Sequence, residues 1–302
     1  MESTVGPEPL TSTVSCGLCA GDRSAVLYRL AGGTIRRCGS CGVVFRENRV
    51  SGSDAVALYD DDSYLDAPYF EALKVGHRRD VEPWLVYGRA LDRLERLLRG
   101  RRLLDVGCSY GAFLDAARER GWEVSGVELS VKGSEYARRH RALEVFTGTL
   151  EHAGFPAGSF DAVSLWDVIE HLDRPLDLLR EARRILRPGG VLLVFTINQR
   201  SLINVTGEVV HRLTLGRARR PLELLYDIHH NFFFDAGTLG RLVRRAGFEG
   251  ELEWDRLAAN IERWQNVPIP PVLAFGSKCL DRVARLTGQD YRLILFARTG
   301  AS

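Results

Sequence analysis

RRLLDVGCSYGAFLDAARERGWEVSGVELS, residues 101–130, is the stretch whose reading decides the fold of this chain. Leu103 to Val106 form a short apolar run ending at a glycine-bearing turn, which predicts a strand delivered into a tight bend. Phe113, Leu114 and Ala117 then recur at helical spacing on one face, and Gly121 supplies the stop. Trp122–Val127 reads as a second strand that closes on Glu128. Strand, helix and strand make a βαβ unit, and in such units ligands sit where the strand ends meet the turn.

The residues at that turn narrow the ligand. A dinucleotide site favours G-x-G-x-x-G, whereas this chain carries Gly107, Ser109 and Ala112 at the three places. Asp105, just before the turn, would crowd a pyrophosphate but suits a ligand bearing an ammonium group. Glu128 is placed to accept hydrogen bonds from both hydroxyls of a ribose. An acid at each end, without a P-loop lysine, favours a positively charged nucleoside over a phosphorylated one. Cys108 reads as a small turn filler and not as a nucleophile.

These residues resemble class I S-adenosylmethionine-dependent methyltransferases, whose first motif runs D-x-G-C-x-x-G, here Asp105-Val106-Gly107-Cys108-Ser109-Tyr110-Gly111. The resemblance continues, in order, through GTLEHAGFPAGSFDAVSLWDVIEHL (148–172), LREARRILRPGGVLLVFTIN (179–198) and HNFFFDAGTLGRLVRRAGF (230–248). It implies an α/β fold with a Rossmann-like, seven-stranded sheet and helices on both faces. It also implies roles for particular residues. Gly107, Cys108 and Gly111 would let the backbone approach the methionine part of the cofactor, with Asp105 nearby, and Glu128 would hold the ribose. Leu129 would lie against the adenine. Where many relatives place an aspartate against the adenine amine this chain has Thr149, so that contact is expected to shift to the Thr149 hydroxyl and the Leu150 backbone. Trp166 and Asp167 are expected to face the cofactor or the reacting centre. His230 is the first candidate for removing a proton from an acceptor hydroxyl, since similar enzymes often carry a histidine just before the F-F-x-x-x-x-L segment. His171 is the second, with His229 and His211 ranked lower; a structural role is the competing reading for each histidine.

The second motif is cysteine-based. Cys16 and Cys19, then Cys38 and Cys41, form C-x2-C-x18-C-x2-C, the spacing of a four-thiolate zinc site. Four thiolates close the coordination shell, so the zinc is expected to be structural, stapling a ribbon too small to build its own core. Gly17, Gly39 and Gly42 are expected to supply turns whose N–H groups donate to the sulfurs. Residues 25–30 and 33–37 read as the ribbon's strands. A ribbon of this kind resembles one preceding methyltransferase domains in many bacterial proteins of small-molecule and sugar metabolism.

The remaining sequence sets the context. Within 302 residues the expected division is a disordered leader (1–14), the ribbon (15–46), a helical connector or substrate wall (47–100) and the transferase domain (101–302). Tyr59, Tyr64, Tyr69 and Phe70 are the candidates for that wall. Insertions are expected at 200–229 and 256–288; the second could cover an acceptor or pair subunits as a homodimer. Asp173 and Pro175 are expected to cap one helix, with Pro188-Gly189-Gly190 turning the chain into a strand over 191–197. Asp235 is expected to cap another helix that Gly247 ends. Acidic and basic residues nearly balance, 39 against 41, and residues 16–45 lack interleaved basic and aromatic positions. A small-molecule acceptor is therefore expected in preference to nucleic acid. Neither an apolar span nor a signal-like start is legible, which makes a cytoplasmic location the expectation. The expected chemistry is methyl transfer to a hydroxyl of a sugar, lipid-linked or natural-product acceptor. C-methylation of a nucleotide-linked sugar and methylation of an RNA base are the alternatives.

Overall fold

The computed structural model describes residues 14–49, 74, 84–257, 282–284 and 286–300. Expectations for residues 1–13 of the leader, for Tyr59, Tyr64, Tyr69 and Phe70 of the wall and for most of the 256–288 insertion fall outside them.

The strand predicted at 103–106 is β4 (Arg102–Val106), and it lies at the centre of a seven-stranded sheet. β5 (Glu123–Glu128) pairs with it on one side and β7 (Phe160–Trp166) on the other, both in parallel. β6 (Val145–Thr147) forms one edge beyond β5. On the far side come β8 (Leu186–Ile197), β11 (Arg292–Arg298) and β10 (Leu252–Leu257), with β11 antiparallel to both neighbours. The order β10-β11-β8-β7-β4-β5-β6 is the expected Rossmann-like sheet.

Both faces of this sheet are covered, which is why β4 and β7 read as nearly unbroken apolar runs. Leu103, Leu193 and Phe296 point to the face packed by α1 (Trp84–Leu97) and α2 (Ala112–Glu119). Their neighbours Leu104, Leu192 and Leu295 point to the opposite face, against α4 (Pro175–Ile185) and α7 (Ala236–Arg245). α3 (Val131–Arg141) connects β5 to β6 and opens on a Ser130 cap, whose Oγ accepts from Gly133 N at 3.0 Å. The region 200–229 folds into α5 (Leu202–Leu213) and α6 (Arg220–Leu225).

The amino-terminal strands β1 (Ser24–Leu30), β2 (Gly33–Cys38) and β3 (Val44–Arg46) form a second, antiparallel sheet. Its fourth strand comes from far along the chain: β9 (Phe232–Phe233) pairs with β3 through Val44↔Phe233 and Phe45↔Phe232. Val43 and Phe45 are fully buried in the same core as α7 and Phe232.

Two local expectations are corrected. Asp173 does not cap α4, because Arg174 is the capping residue and makes no side-chain bond there; Asp173 instead accepts from Arg49 Nε at 2.8 Å. Pro188-Gly189-Gly190 lies inside β8 and not before it. The register jumps from Phe160↔Leu186 to Ala162↔Val191, and this bulge absorbs a proline that cannot donate to the ladder. Asp235 does cap α7, with Thr238 completing a reciprocal capping box.

Candidate active site

Three left-handed residues shape the turn after β4: Gly107 (φ +74°), Ser109 (φ +49°) and Gly111 (φ +74°). The bend brings Gly107 N and Cys108 N onto the Val127 carbonyl of β5, at 2.8 and 3.1 Å. A Cβ on Gly107 would stand 2.5 Å from Val168 Cγ2, so this glycine is required both by its φ and by the close approach. Gly111 opens α2, and a Cβ there would stand 2.3 Å from Leu143 Cδ1.

Two carboxylates bracket the turn. Asp105 is buried, and its Oδ1 accepts from Ser164 Oγ at 2.6 Å. Burial pushes this carboxyl up to about 8, with the charge of Glu128 adding to the effect. Glu128 ends β5 and ties two loops together: Oε2 accepts from Ser109 N at 2.6 Å and Oε1 from Ser130 N at 2.8 Å. Cys108 is buried between these acids, which with burial itself hold its thiol well above the ordinary range; such a group is no nucleophile.

The other expected contacts spread along the same sheet edge. Leu129 follows Glu128 and is half-buried. Thr149 is exposed, with Oγ1 2.8 Å from His152 Nδ1, and it opens the 3-10 turn Leu150–His152. Leu150 sends its side chain into the core. The Trp166 ring packs among Tyr87, Phe113 and Phe195, with centroids 4.8, 4.9 and 5.0 Å away. Asp167 adopts φ +51° and pairs with Arg292, whose guanidinium lies 5.0 Å from the centre of the Phe195 ring. Arg292 escaped sequence reading because it sits in a strand without a motif; only the register that sets it opposite Ile197 brings it here.

Beside Asp167 lies a second titratable group. Glu170, His171 and His230 each offer a ligand atom, all within 4.8 Å of one another, and could hold a divalent cation. Both carboxylate oxygens of Glu170 are buried, with the buried Thr196 hydroxyl beside them. Burial, with Asp167 reinforcing it, pushes Glu170 up to about 8. Burial also depresses His171, and together with His171 it pushes His230 down to about 3. The two imidazoles meet edge to face at 4.7 Å.

The backbone assembles this group from residues some 60 positions apart. Asn231 N and Phe232 N both donate to the Glu170 carbonyl, at 2.8 and 3.0 Å, and Asn231 Nδ2 donates to the His171 carbonyl at 2.7 Å. His171 Nδ1 lies 3.0 Å from the His229 carbonyl, which can only accept, so Nδ1 carries the proton and Nε2 the lone pair. His229 itself pairs with Asp227 at 2.7 Å. Against the effect of burial, that bond holds the Asp227 carboxyl below the usual range. His211 lies apart, with Nδ1 3.1 Å from the Ala218 carbonyl.

The four ribbon cysteines also come together. Cys16 Sγ is 3.7 Å from Cys41 Sγ and Cys19 Sγ is 3.5 Å from Cys38 Sγ, far beyond the roughly 2.05 Å of a disulfide. All four sulfurs lie within 4.8 Å of one another. The donors to sulfur differ from the expected glycines: they are Gly21 N, Ser40 N and Cys41 N, at 3.4 to 3.5 Å. Gly39 N and Gly42 N are spent on the Arg23 and Cys38 carbonyls. The hydrogen bond between Cys16 and Cys41 pulls the Cys16 thiol down and pushes Cys41 up.

The family described as "Methyltransferase domain" matches residues 77–253. This chain belongs to the class I S-adenosylmethionine-dependent methyltransferases. Among curated relatives, the ubiquinone biosynthesis O-methyltransferase of Paracidovorax citrulli is 34% identical over 131 residues, 41% of this chain and 55% of its own length. The protein of the same name from Psychrobacter arcticus is 32% identical over 191 residues, 59% of this chain and 72% of its own length. The methyltransferase thus spans little more than half of the first relative and under three quarters of the second. Its fold is also that of solved methyltransferases. A Thermotoga maritima S-adenosylmethionine-dependent methyltransferase superposes with a TM-score of 0.53 at 22% identity, covering 80% of this chain and 98% of that one. Haemonchus contortus phosphoethanolamine N-methyltransferase 2, solved with S-adenosyl-L-methionine, gives 0.55 at 19% identity, covering 86% and 62%. No helix among the described residues is long and apolar enough to cross a membrane.

Proposed function

We propose that this methyltransferase moves the methyl group of S-adenosylmethionine to a hydroxyl of a small sugar, lipid-linked or natural-product acceptor, and that a structural zinc ion closes its ribbon. The observation that carries the reading is the pair of carboxylates around the glycine turn. Asp105 is buried with too little positive charge near it, and a ligand bearing an ammonium and a sulfonium would supply that charge. Glu128 accepts from the N–H groups of Ser109 and Ser130, which hold its carboxylate at the end of β5, where ribose hydroxyls would meet it. The Gly107–Gly111 backbone would cradle the amino-acid end, Leu129 would flank the adenine, and Thr149 with the Leu150 backbone would meet its amine.

When bound, S-adenosylmethionine supplies the electrophilic methyl group. The chain's own residues then have to orient the acceptor and take its proton. His171 and His230 are neutral imidazoles at pH 7, and the His171 tautomer leaves Nε2 able to accept. Burial makes both weak bases, so the proton is expected to leave as the methyl bond forms and not before it. The close grouping of a buried carboxylate with two imidazoles favours a second reading, a divalent cation on Glu170, His171 and His230 that would orient the acceptor oxygen.

Support for a small acceptor over RNA comes from the ribbon. In its one basic pair, Arg36 is buried and bonded to Glu47, so that only Arg37 of the two is exposed, and the other exposed ribbon arginines, Arg23 and Arg29, are not adjacent to it in sequence. The four-thiol cluster supports zinc, because four sulfurs this close cannot all ionise without a cation. Calorimetric titration with S-adenosylhomocysteine tests the cofactor site, and an isotherm unchanged in Asp105→Ala/Glu128→Ala would refute it. Transfer of radiolabelled methyl to a panel of hydroxylated acceptors, before and after chelation and readdition of Mg2+, tests the acceptor side. Full turnover in His230→Ala would remove that histidine from the mechanism.

A further inference from the structure

Arg46 is among the most deeply buried large side chains of the protein, and no motif marked it. It ends β3 in the ribbon, yet its guanidinium bonds mainly to a loop some 180 residues away. Nη2 donates to the carbonyls of Tyr226 (3.0 Å) and Asp227 (2.7 Å), and Nε donates to that of His230 (3.2 Å). Nη1 donates to the Gly32 carbonyl at the β1–β2 turn. The Arg46 backbone N–H adds a fifth bond, to the Asn231 carbonyl at 2.9 Å. The nearby Asp227 carboxylate stabilises the charge through space, but its Oδ1 is turned to His229.

A buried charge is a costly way to fasten two surfaces, and an apolar side chain of similar volume would seal the same gap with less desolvation. What guanidinium adds is a rigid planar fork of five donors, which can specify the positions of several carbonyls at once. Three of its four acceptors belong to the five residues 226–230, so the fork defines the path of that loop into β9. The loop ends on His230, whose ring rests against His171, and the His229 carbonyl fixes the His171 tautomer.

We propose that Arg46 is a positioning residue for the transferase site: the ribbon, through this guanidinium, holds the 226–230 loop so that the His230 ring stands against His171. The proposal rests on the reading of His171 and His230 as acceptor-side groups, but its test uses no acceptor. The ribbon is then a working part of the active site as well as a zinc-stapled appendage.

Arg46→Met removes the fork while keeping volume, and Arg46→Lys keeps the charge with a single tip. Each full-length variant is compared with the parent protein, saturated with S-adenosylhomocysteine, by NMR of the histidine rings. The parent is expected to show a cross-peak between the His171 and His230 rings. Arg46→Met should lose that cross-peak and shift the His230 resonances, with Arg46→Lys intermediate. His140, on α3 and remote from the loop, should not move, and the Kd for S-adenosylhomocysteine should stay within about twofold. An intact cross-peak in folded Arg46→Met overturns the proposal. So does a parallel loss of S-adenosylhomocysteine binding, which would mean general unfolding. If Arg46→Met does not fold, Arg46→Lys decides: unaltered His230 resonances overturn the proposal, and shifted ones with a steady His140 support it. A His230→Ala variant with full turnover would refute the base assignment while leaving this spectroscopic result to stand or fall separately.

Discussion

Gly107→Ala separates two costs that the turn imposes at once. Alanine at φ +74° costs roughly 1–2 kcal/mol for left-handed backbone. Its Cβ would also lie 2.5 Å from Val168 Cγ2, and relieving an overlap of that kind costs roughly 1–3 kcal/mol. The single variant should therefore lose about 2–5 kcal/mol, read as a fall in the urea midpoint at unchanged slope. Val168→Ala alone should lose about 1–2 kcal/mol, since the side chain is only half-buried. In the double variant the overlap is gone and only the backbone cost and the Val168 truncation cost remain, about 2–4 kcal/mol together, so the two changes should couple favourably by roughly 1–3 kcal/mol. Calorimetry adds a second readout. The double variant should be less destabilised than the two single losses summed, but affinity for S-adenosylhomocysteine should stay at least about tenfold down, roughly 1.4 kcal/mol, because the new methyl group still stands on the backbone proposed to cradle the cofactor. Strict additivity of the two stability changes would refute the steric argument. Full recovery of affinity would refute the placement of the methionine part over Gly107.

Three further outcomes are expected. Elemental analysis should find one zinc per chain, lost in Cys38→Ser, and hydrogen exchange in that variant should rise at Ile35 and Phe45 while Leu103 and Leu104 stay protected. Asp105 and Glu170 are raised to about 8 in the fold, so the native state binds more protons than the unfolded chain between about pH 4 and pH 8. The ligand-free protein should then lose stability as pH rises through that window; Asp105→Asn should flatten the profile, and an unflattened one would argue that Asp105 is ionised throughout. Arg292→Met leaves the Asp167 carboxylate without its charged partner and should cost roughly 1–3 kcal/mol in a thermal melt, with Asp167→Asn recovering part of the loss.

The transferase half of the molecule was largely legible because its signals are local. A strand, a left-handed turn and an amphipathic helix are each set by residues within a few positions of one another, and the 101–130 unit folds with boundaries shifted by only a residue or so. The same holds for the cysteine pairs and for the Asp235 cap, where the partners are three residues apart. What stayed hidden depends on long-range pairing. The Asp173 side chain could equally well have capped the helix beginning beside it; tertiary contact with Arg49 took it away. Arg292 and Arg46 carry no motif, and their importance arises only when antiparallel registers bring them to Asp167 and to the 226–230 loop. Pro188 looked like a strand boundary because a proline cannot donate, and a bulge reconciles that with a continuous strand.

The placement of the ribbon follows from the same physics. Three short strands bury little by themselves, and the four-cysteine cluster lies at only one end of them. The remaining stability has to come from the transferase core, and the contacts available are those beside the site. β9 completes the ribbon sheet immediately after His230, Arg245 on α7 donates to the Leu18 carbonyl at 2.8 Å, and Arg49 reaches Asp173 two residues beyond His171. Each anchor is attached to a segment that leads into or out of the Glu170–His171–His230 group. A ribbon docked in this way cannot shift without moving those segments, so any change that loosens the thiolate end should be felt first at the histidine loop and last at the Gly107 turn, which shares none of these contacts.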